Sequence, residues 1–327
     1  MVTVVDINTE PESAARAVAA LERGECVAMP TETVYGLAAD ATNGRAVARI
    51  FEMKGRPRFN PLIAHVASLD MAEAHGTFDE RAMRLAAAFW PGPLTLVVAK
   101  RPDSAIHDLV TAGLDTVALR MPVGITHDII ADFGRPVAAP SANRSGRVSP
   151  TTAAHVAGEF ADSDLLILDG GPCRVGIEST IVRVAPDRLT LLRPGAVTAE
   201  ELAAASGARV EMAGPGAAVA APGMLASHYA PRARLRLDVE DCPDGAALIA
   251  FGDGHGRRRN GAASVLNLSP AGDLREAAAN LYAHIKALDA AGARLICVEP
   301  IPQAGIGAAI NDRLRRAAAP RDCDERA

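Results

Sequence analysis

Three cations stand at alternate positions of one short stretch, EMKGRPRFNPLIAHV at residues 52–66. They are Lys54, Arg56 and Arg58. Pro57 and Pro61 keep the stretch out of a helix, because proline lacks an N–H and restricts the residue before it. In extended chain such neighbours lie about 6–7 Å apart on one side, so each pair repels by about 2–3 kcal/mol at an effective dielectric constant of about 20. The pattern is typical either of a solvated loop or of a binding site for an anion.

A second polar segment, APSANRSGRVSP at residues 139–150, follows an apolar run that predicts a strand. Its polar side chains are Ser141, Asn143, Arg144, Ser145, Arg147 and Ser149. Hydroxyls, a carboxamide and free backbone N–H groups at the C-terminal end of a strand suit a phosphate or a ribose. A plain Ser/Gly turn is the alternative interpretation of this segment taken alone.

Two further loops carry small polar groups beside predicted strands. PTETVYGLAAD at 30–40 offers Thr31 and Thr33, and GIEST at 176–180 offers Ser179. The chain has no G-x-x-x-x-G-K-[ST] segment, so a P-loop is excluded as the phosphate-binding element. Three strand-end loops and one cationic loop are instead typical of a nucleotide site in an α/β sheet.

The elements that must position these loops alternate along the first 210 residues between β-branched runs and amphipathic helical patterns. LTLVVAK at 94–100 predicts a strand, and NGRAVARIFEMKG at 43–55 predicts a helix that ends in the cationic segment. Another helix is predicted after Thr9 as N-cap, with Glu12 completing a capping box. Such alternation favours an α/β domain with a mixed open sheet.

Composition divides the chain into two units. Residues 1–212 form the predicted catalytic domain, and the Ala-, Gly- and Pro-rich stretch at 213–231 is predicted to be a linker. Beyond it, runs such as AALIAFG and RLICVEP alternate with two helical patterns. This part predicts a second, smaller α/β domain at 232–327.

Composition and charge also limit the class of protein. Hydrophobic residues make up 49% and charged residues 22% of the 327 residues, which is typical of a globular protein. The net charge of −5 argues against a protein that coats nucleic acid. The five cysteines include no C-x-x-C pair, which argues against a zinc site and for reduced thiols in the cytoplasm. No apolar run reaches the roughly 20 residues that span a bilayer, so we expect no membrane partner.

Seven motifs occur in a fixed order: PTETVYGL, KGRP with NPLIAHV, FWPGPLT, LRMP, APSANRSG, GIESTI and LLRPG. In this order and spacing they resemble the YrdC-like threonylcarbamoyl-AMP synthase family, over residues 5–205. SHYAPRA and PIPQAGIGAAINDRLRRAA extend the resemblance to the long, two-domain form of that family. The resemblance implies a YrdC-like twisted open mixed sheet with helices, and a smaller Rossmann-like α/β C-terminal domain.

The resemblance also implies a reaction. Enzymes of this family condense L-threonine, bicarbonate and ATP into L-threonylcarbamoyladenylate and release pyrophosphate, and the product serves threonylcarbamoyladenosine modification of tRNA. The expected ligands are therefore L-threonine, bicarbonate and ATP with Mg²⁺, and the expected downstream partner is the tRNA threonylcarbamoyl transfer machinery. No metal site built by the protein itself is expected. Because a threonine-derived carbamate must attack the α-phosphorus of ATP, fixed positive charge would offset the repulsion between two anions.

By resemblance, the residues of the site fall into three groups. The central polar cluster, which we take as catalytic, is Lys54, Arg56, Ser141 and Asn143. The threonine-binding group is Thr33, His65, Arg120 and Ser179. Arg120 is the expected partner of the α-carboxylate, because a guanidinium binds a carboxylate through two bonds. The nucleotide-binding group is Arg56, Asn60, Thr116, Ser141, Ser149, Arg193 and the linker residue Tyr229.

Two alternative functions follow from the same residues. An RNA-binding module would use the Arg and Lys loops as a phosphate track, but the acidic net charge and the 3% of aromatic residues argue against it. A carbamoyltransferase maturation factor shares the YrdC-like domain, but it carries acylphosphatase-like and cysteine-rich zinc segments that this chain lacks. The C-terminal domain has no catalytic signature of its own, and we expect it to position the linker over the first domain.

Overall fold

A computed structural model of the protein describes residues 1–185, 188–214, 221–223, 227–254, 259 and 261–320. In these ranges the larger sheet has twelve strands. Their bounds are β1 (Val2–Asp6), β2 (Val27–Met29), β3 (Gly36–Asp40), β4 (Ile63–His65), β5 (Gly76–Thr77), β6 (Leu94–Lys100), β7 (Thr116–Arg120), β8 (Val137–Ala138), β9 (Leu165–Asp169), β10 (Thr180–Val184), β11 (Leu189–Arg193) and β12 (Val210–Met212).

The larger sheet is mixed. Its strand order is β1-β9-β2-β3-β8-β4-β7-β6-β10-β11-β12, with β5 added beside β6. The central pairs β4/β7 and β6/β10 are parallel, whereas β6/β7, β10/β11 and β4/β8 are antiparallel. The helices that accompany it are α1 (Ser13–Glu22), α2 (Gly44–Lys54), α3 (Leu69–Glu73), α4 (Glu80–Phe89), α5 (Asp108–Thr111), α6 (Ile125–Phe133), α7 (Ala153–Glu159) and α8 (Ala199–Ser206).

The second sheet is formed by later residues, and its four strands are all parallel in the order β13-β16-β14-β15. Its elements are β13 (Arg234–Arg236), β14 (Ala247–Ala250), β15 (Ser264–Asn267), α9 (Leu274–Ala290), β16 (Leu295–Val298) and α10 (Gly307–Ala318). The predicted fold class is thereby confirmed. The domain bounds stay a prediction, and residues 215–220 and 224–226 of the predicted linker lie outside the described residues.

One predicted helix start is wrong. Helix α1 begins at Ser13, and its N-cap Glu12 makes no side-chain capping bond, so Thr9 and Glu12 form no capping box. Instead Asp6, at the end of β1, accepts backbone N–H groups from the next turn, including that of Thr9 at 3.3 Å. Pro11 follows that turn, directly before the N-cap Glu12.

The two sheets share part of one buried core. Val34, Val148 and Ile177, from loops of the larger sheet, belong to the same apolar cluster as Tyr282 of α9 and Ile310 of α10. The second half of the chain is therefore packed against the strand-end loops and not only joined to them. None of the helices in the described ranges is both long and apolar enough to cross a membrane.

Candidate active site

One small cavity collects most of the predicted site residues. It has a volume of about 40 Å³ and lies where β4, β7, β8 and β11 end. Its predicted members are Thr33, Arg56, His65, Arg120, Ser141, Ser179, Arg193 and Tyr229. A larger groove of about 730 Å³, between α1, α2 and β9, contains none of them. Predicted residues from every strand-end loop thus meet at one place.

Lys54 reaches the site because of how α2 ends. Asn43 caps the first turn of this helix, and Gly55 ends it in the left-handed conformation at φ 59°, which suits glycine. The buried Lys54 ammonium donates to the backbone carbonyl of Ser141 at 2.6 Å and to that of Asn143. Burial, followed by the charge of Arg56, holds the pKa of Lys54 well below its usual range. The ammonium therefore fastens the second polar segment to α2 and keeps one N–H for a ligand.

Arg56 is the second buried cation. Its Nε donates to the carbonyl of Asn60 at 3.2 Å and its Nη2 to that of Pro61 at 2.9 Å. Burial lowers the pKa of Arg56 to about 10, so the guanidinium stays charged at neutral pH. Arg58, in contrast, is exposed. Two of the three opening cations thus belong to the site, and the third belongs to the solvated surface.

Arg193 closes the cationic side from the end of β11. Its Nε and Nη2 donate to the carbonyl of Ser179 at 3.0 and 2.9 Å, and Nη1 donates to the carbonyl of Pro222 at 3.4 Å. Burial lowers its pKa from the usual value. Within the described part of the chain, Lys54, Arg56 and Arg193 hydrogen-bond only to neutral groups and form no ion pair with a carboxylate. Glu178, which also lines the cavity, interacts with Arg193 through its charge, so this side carries an excess of positive charge that suits a polyanion.

The predicted threonine-binding residues line the same cavity, and one of them, Ser179, contacts Arg193 directly. His65 and Arg120 are register partners at the ends of β4 and β7. Burial, and next to it the charge of Arg120, lowers the pKa of His65 to about 3, so its ring is neutral and acts as a hydrogen-bonding group. The hydroxyl of Thr33 lies 2.8 Å from that of Thr31, and the hydroxyl of Ser179 lies 2.8 Å from that of Thr95.

Arg120 already has an acidic partner that was not predicted. Its Nη2 donates to the Glu32 carboxylate at 2.6 Å, and the backbone N–H of Val123 donates to the same carboxylate at 3.2 Å. Both side chains are 5% exposed. Glu32 stands inside the PTET motif, where the sequence drew attention only to the hydroxyls. A ligand carboxylate that binds Arg120 must therefore share the guanidinium with Glu32.

Ser149 is committed to a second unpredicted carboxylate. Its hydroxyl donates to Glu178, which also accepts from Tyr282 at 2.9 Å and from Arg313 Nε at 2.8 Å. Burial opposes ionisation of this carboxyl, but the guanidiniums of Arg313 and Arg193 outweigh it and lower the pKa of Glu178 to about 2. Glu178 is part of the GIEST motif, so its position was visible in the sequence, but its partners lie more than a hundred residues away.

Several buried polar atoms around the cavity have no hydrogen-bond partner among the residues that the structure describes. They are both amide atoms of Asn60, Oδ1 of Asn143, Nδ1 of His65, Nδ1 of His228 and the hydroxyl of Tyr229. A buried polar group without a partner costs about 1–3 kcal/mol. Their concentration beside one cationic cavity indicates that a polar ligand supplies the missing partners.

Five predicted site residues do not line the cavity. Lys54, Asn60, Asn143 and Ser149 each hydrogen-bond to a residue that does line it, whereas Thr116 lies farther away. It is half-buried at the start of β7, four residues before Arg120, which is about 13 Å along a strand. Between them the sheet carries an apolar patch that includes Ile63, Ala118 and Leu192. Contact between Thr116 and a nucleotide stays a prediction. In the described ranges, no group of three or more His, Cys, Asp or Glu side chains could hold a metal ion.

Two family models divide the chain between them. A model described as "Telomere recombination", which groups Sua5, YciO and YrdC proteins, matches residues 19–195. A second, described as the C-terminal domain of threonylcarbamoyl-AMP synthase, matches residues 197–319. The fold and the cationic strand-end site thus define a two-domain α/β protein of the YrdC-like class.

Similar proteins of known name narrow this class. A threonylcarbamoyl-AMP synthase of Bacillus subtilis is 40% identical, over 96% of this chain and 95% of that protein. One from Pyrococcus abyssi is 41% identical over 91% of both chains. The crystal structure of P. abyssi Sua5 complexed with L-threonine superposes with a TM-score of 0.86, at 37% identity and 97% coverage of both chains. The chain belongs to the threonylcarbamoyl-AMP synthase family, as the sequence motifs predict, and neither alternative function is favoured.

Proposed function

We propose that this protein is an L-threonylcarbamoyladenylate synthase that uses L-threonine, bicarbonate and ATP. The observation that carries the proposal is the convergence of Arg56 and Arg193, without a hydrogen-bonded carboxylate among the described residues, on a cavity that also holds Arg120. Lys54 adjoins this cavity through its bond to the carbonyl of Ser141. The cavity thus combines groups that suit a triphosphate with groups that suit an amino acid. Family membership and the likeness to a threonine-bound relative support the same activity.

The chemistry joins two anions. The threonine amine takes up bicarbonate with loss of water and becomes a carbamate. A carbamate oxygen attacks the α-phosphorus, the bond from this phosphorus to the bridging oxygen breaks, and pyrophosphate leaves with the electron pair. Arg56 and Arg193 would hold the phosphates, and the remaining N–H of Lys54 would hold the carbamate. Charges fixed in a buried site need no reorganisation when the negative charge moves to pyrophosphate.

Threonine would occupy the side of Arg120. Its carboxylate would bind the guanidinium beside Glu32, and Thr33, His65 and Ser179 would surround the rest of the molecule. The neutral ring of His65 offers one nitrogen that has no partner in the protein. A general base is not assigned to it, because a ring with a pKa of about 3 is a weak base.

The adenosine would extend from the cations along the apolar patch towards Thr116. Ile63, Ala118 and Leu192 would provide a floor for the base. The amide of Asn60 and Oδ1 of Asn143, which have no partner among the described residues, belong to residues whose backbone carbonyls bind Arg56 and Lys54. A cavity of about 40 Å³ is far below the roughly 300 Å³ of the smallest usual ligand pockets, so part of its wall must move to admit ATP. Pro222, Gly223 and Tyr229 form that wall on the linker side.

Mg²⁺ would enter as part of the substrate. The described residues provide no cluster of carboxylates for the ion, and Glu178 is bound by Ser149, Tyr282 and Arg313. We therefore assign Mg²⁺ to the phosphate oxygens of ATP, which is its usual mode of binding in nucleotide sites. Delivery of the product to a tRNA threonylcarbamoyl transfer machinery belongs to the same proposal, and no residue is assigned to direct contact with tRNA.

The test is pyrophosphate release from MgATP, with threonine and bicarbonate each omitted in turn. We expect release to depend on both, and the adenylate to carry the carbon of labelled bicarbonate. Arg56→Ala should abolish release, and Arg58→Ala is the matched control because this exposed cation lies two residues away. Release that ignores both omissions would refute the synthase proposal.

A further inference from the structure

Glu178 joins the two halves of the chain at the site. Its carboxylate accepts three hydrogen bonds: one from Ser149 of the first half, and two from Tyr282 on α9 and Arg313 on α10. Tyr282 is 0% and Arg313 1% exposed, so both are shielded from water. Arg313 also donates to its neighbour Asp312 at 2.8 Å through Nη1. The buried ion pair between Glu178 and Arg313 therefore joins a residue of each half.

The same two residues hold Tyr229. Its ring stacks on that of Tyr282 with 5.8 Å between the centroids, and the Arg313 guanidinium lies 5.2 Å from its centroid. Tyr229 has a φ of 64°, in the left-handed region that a non-glycine residue occupies only under strain. The ring lines the cavity, and its hydroxyl is buried without a partner. The stack and the cation thus keep a strained residue in place with its polar end towards the cavity.

We propose that Glu178, Tyr282 and Arg313 are positioning residues of the synthase site, through which the C-terminal half fixes Tyr229 and Ser149 on the nucleotide side. The inference rests on the proposed function for what occupies that side. It assigns the C-terminal half a direct part in binding ATP, although none of its helices or strands supplies a residue of the cationic wall. Glu178, Tyr282 and Arg313 act through Tyr229 and Ser149, which line or adjoin the cavity.

A purely structural role explains these contacts less well. A buried ion pair adds little net stability compared with apolar side chains of the same volume, and here it is surrounded by the apolar cluster around Ile177 and Ile310. The pair also leaves Nη2 of Arg313 and the hydroxyl of Tyr229 without partners. Such an arrangement is retained at a stability loss, and it lies at the edge of the site. The contacts lead from Arg313 on α10 to Tyr229 in the cavity wall, which indicates a positioning role.

Two mild substitutions separate positioning from stability. Tyr282→Phe removes one hydrogen bond to Glu178 and keeps the ring stack, and Arg313→Lys keeps the charge but not the planar fork. We expect each to raise the KM for ATP about five- to tenfold, which is within the range that the net loss of one typical hydrogen bond gives, and to leave the KM for threonine within about twofold. Arg259→Lys is the matched control, because Arg259 forms a similar pair with Glu299 away from the site.

Amide hydrogen exchange gives a readout that does not need activity. His228 donates its backbone N–H to Arg316 at 3.1 Å, and Ala230 donates to Gly146 at 2.8 Å. Both should exchange faster in Tyr282→Phe and Arg313→Lys, with the melting temperature of Tyr282→Phe within a few degrees of the wild type. Unchanged exchange at these amides, or a KM for ATP equal to that of the wild type or lower, would overturn the inference. Pyrophosphate release by the wild type that does not depend on threonine would instead overturn the proposed function.

Discussion

Glu32→Gln tests directly how the cavity holds an amino acid. In the free protein the Arg120 guanidinium pairs with Glu32 at 2.6 Å, and both side chains are 5% exposed. A threonine carboxylate on the same guanidinium would meet this fixed negative charge. The substitution removes the charge and keeps the shape, and the glutamine oxygen can still accept from the Val123 N–H.

Glu32→Gln is expected to strengthen threonine binding and to destabilise the free protein. Two carboxylates held about 5 Å apart by one guanidinium repel by about 3 kcal/mol at an effective dielectric constant of about 20. If half of this is recovered, the KM for threonine falls about tenfold. The free protein should lose about 3 kcal/mol of stability, because removing one partner of a buried pair leaves Arg120 uncompensated. Saturating threonine should restore most of that loss.

Thermal unfolding with and without threonine, together with the KM for threonine in pyrophosphate release, measures both effects. Glu299→Gln is the matched control. Glu299 is 2% exposed, accepts from Arg259, and accepts a backbone N–H from Phe251 at 2.8 Å, as Glu32 does from Val123. It should lose similar stability with no recovery by threonine. An unchanged or raised KM for threonine in Glu32→Gln, with the same loss of stability, would refute the assignment of Arg120 to the carboxylate.

Three further outcomes follow from the charges of the cavity. Arg56→Ala should lower the rate of pyrophosphate release at least about 100-fold, and Arg58→Ala should leave it unchanged; equal rates in the two variants would remove Arg56 from the site. His65 and His228 each have a folded-state pKa of about 3, below the unfolded value of about 6.5. The unfolded chain therefore binds more protons than the folded protein below pH 6.5. The free energy of unfolding should fall from pH 6.5 towards pH 3 by about 1.4 kcal/mol per pH unit for each ring. Urea unfolding at pH 7 and pH 5 should show a smaller fall in His65→Asn than in the wild type. Bound ATP should raise the depressed pKa of Lys54. Calorimetry of ATP binding at pH 8–9, in buffers of different ionisation enthalpy, should therefore detect proton uptake that is absent in Lys54→Met. Equal uptake in both proteins would assign the proton to another group.

The regular elements with strong local signals were predictable from the sequence. Helix α2 has its cap at Asn43 and its end at Gly55, and β6 coincides with the predicted run at 94–100. The buried strand β3 (GLAAD) was not predicted, because glycine and alanine are poor strand formers and all five residues are buried, so no alternation appears. The strand predicted before the second polar segment, in the run RPVAAPS, is limited to the two residues of β8. Pro136 and Pro140 on either side of β8 have no N–H to donate to a neighbouring strand.

The site was predictable to the extent that its residues stand in strand-end loops. Arg56 and Ser141 stand in polar segments that follow a predicted helix and a predicted strand, whereas Arg193, the last residue of β11, was named by the family resemblance. The two buried carboxylates could not, because their partners are fixed only by the fold: 88 positions separate Glu32 from Arg120, and 135 separate Glu178 from Arg313. No local pattern can report a contact over such distances.

The charges around the cavity divide into two sets with different tasks. Glu32 with Arg120, and Glu178 with Arg313, are pairs that hold the walls together, while Lys54, Arg56 and Arg193 are bound only to neutral groups in the described part of the chain. Buried cations that form no ion pair destabilise the free protein, and burial is the main cause of the lowered pKa values of all three. The missing negative charges must come from the ligand, so the fold is most stable when a polyanion is bound. The free energy that the buried cations cost the free protein is thus recovered as affinity for the phosphates.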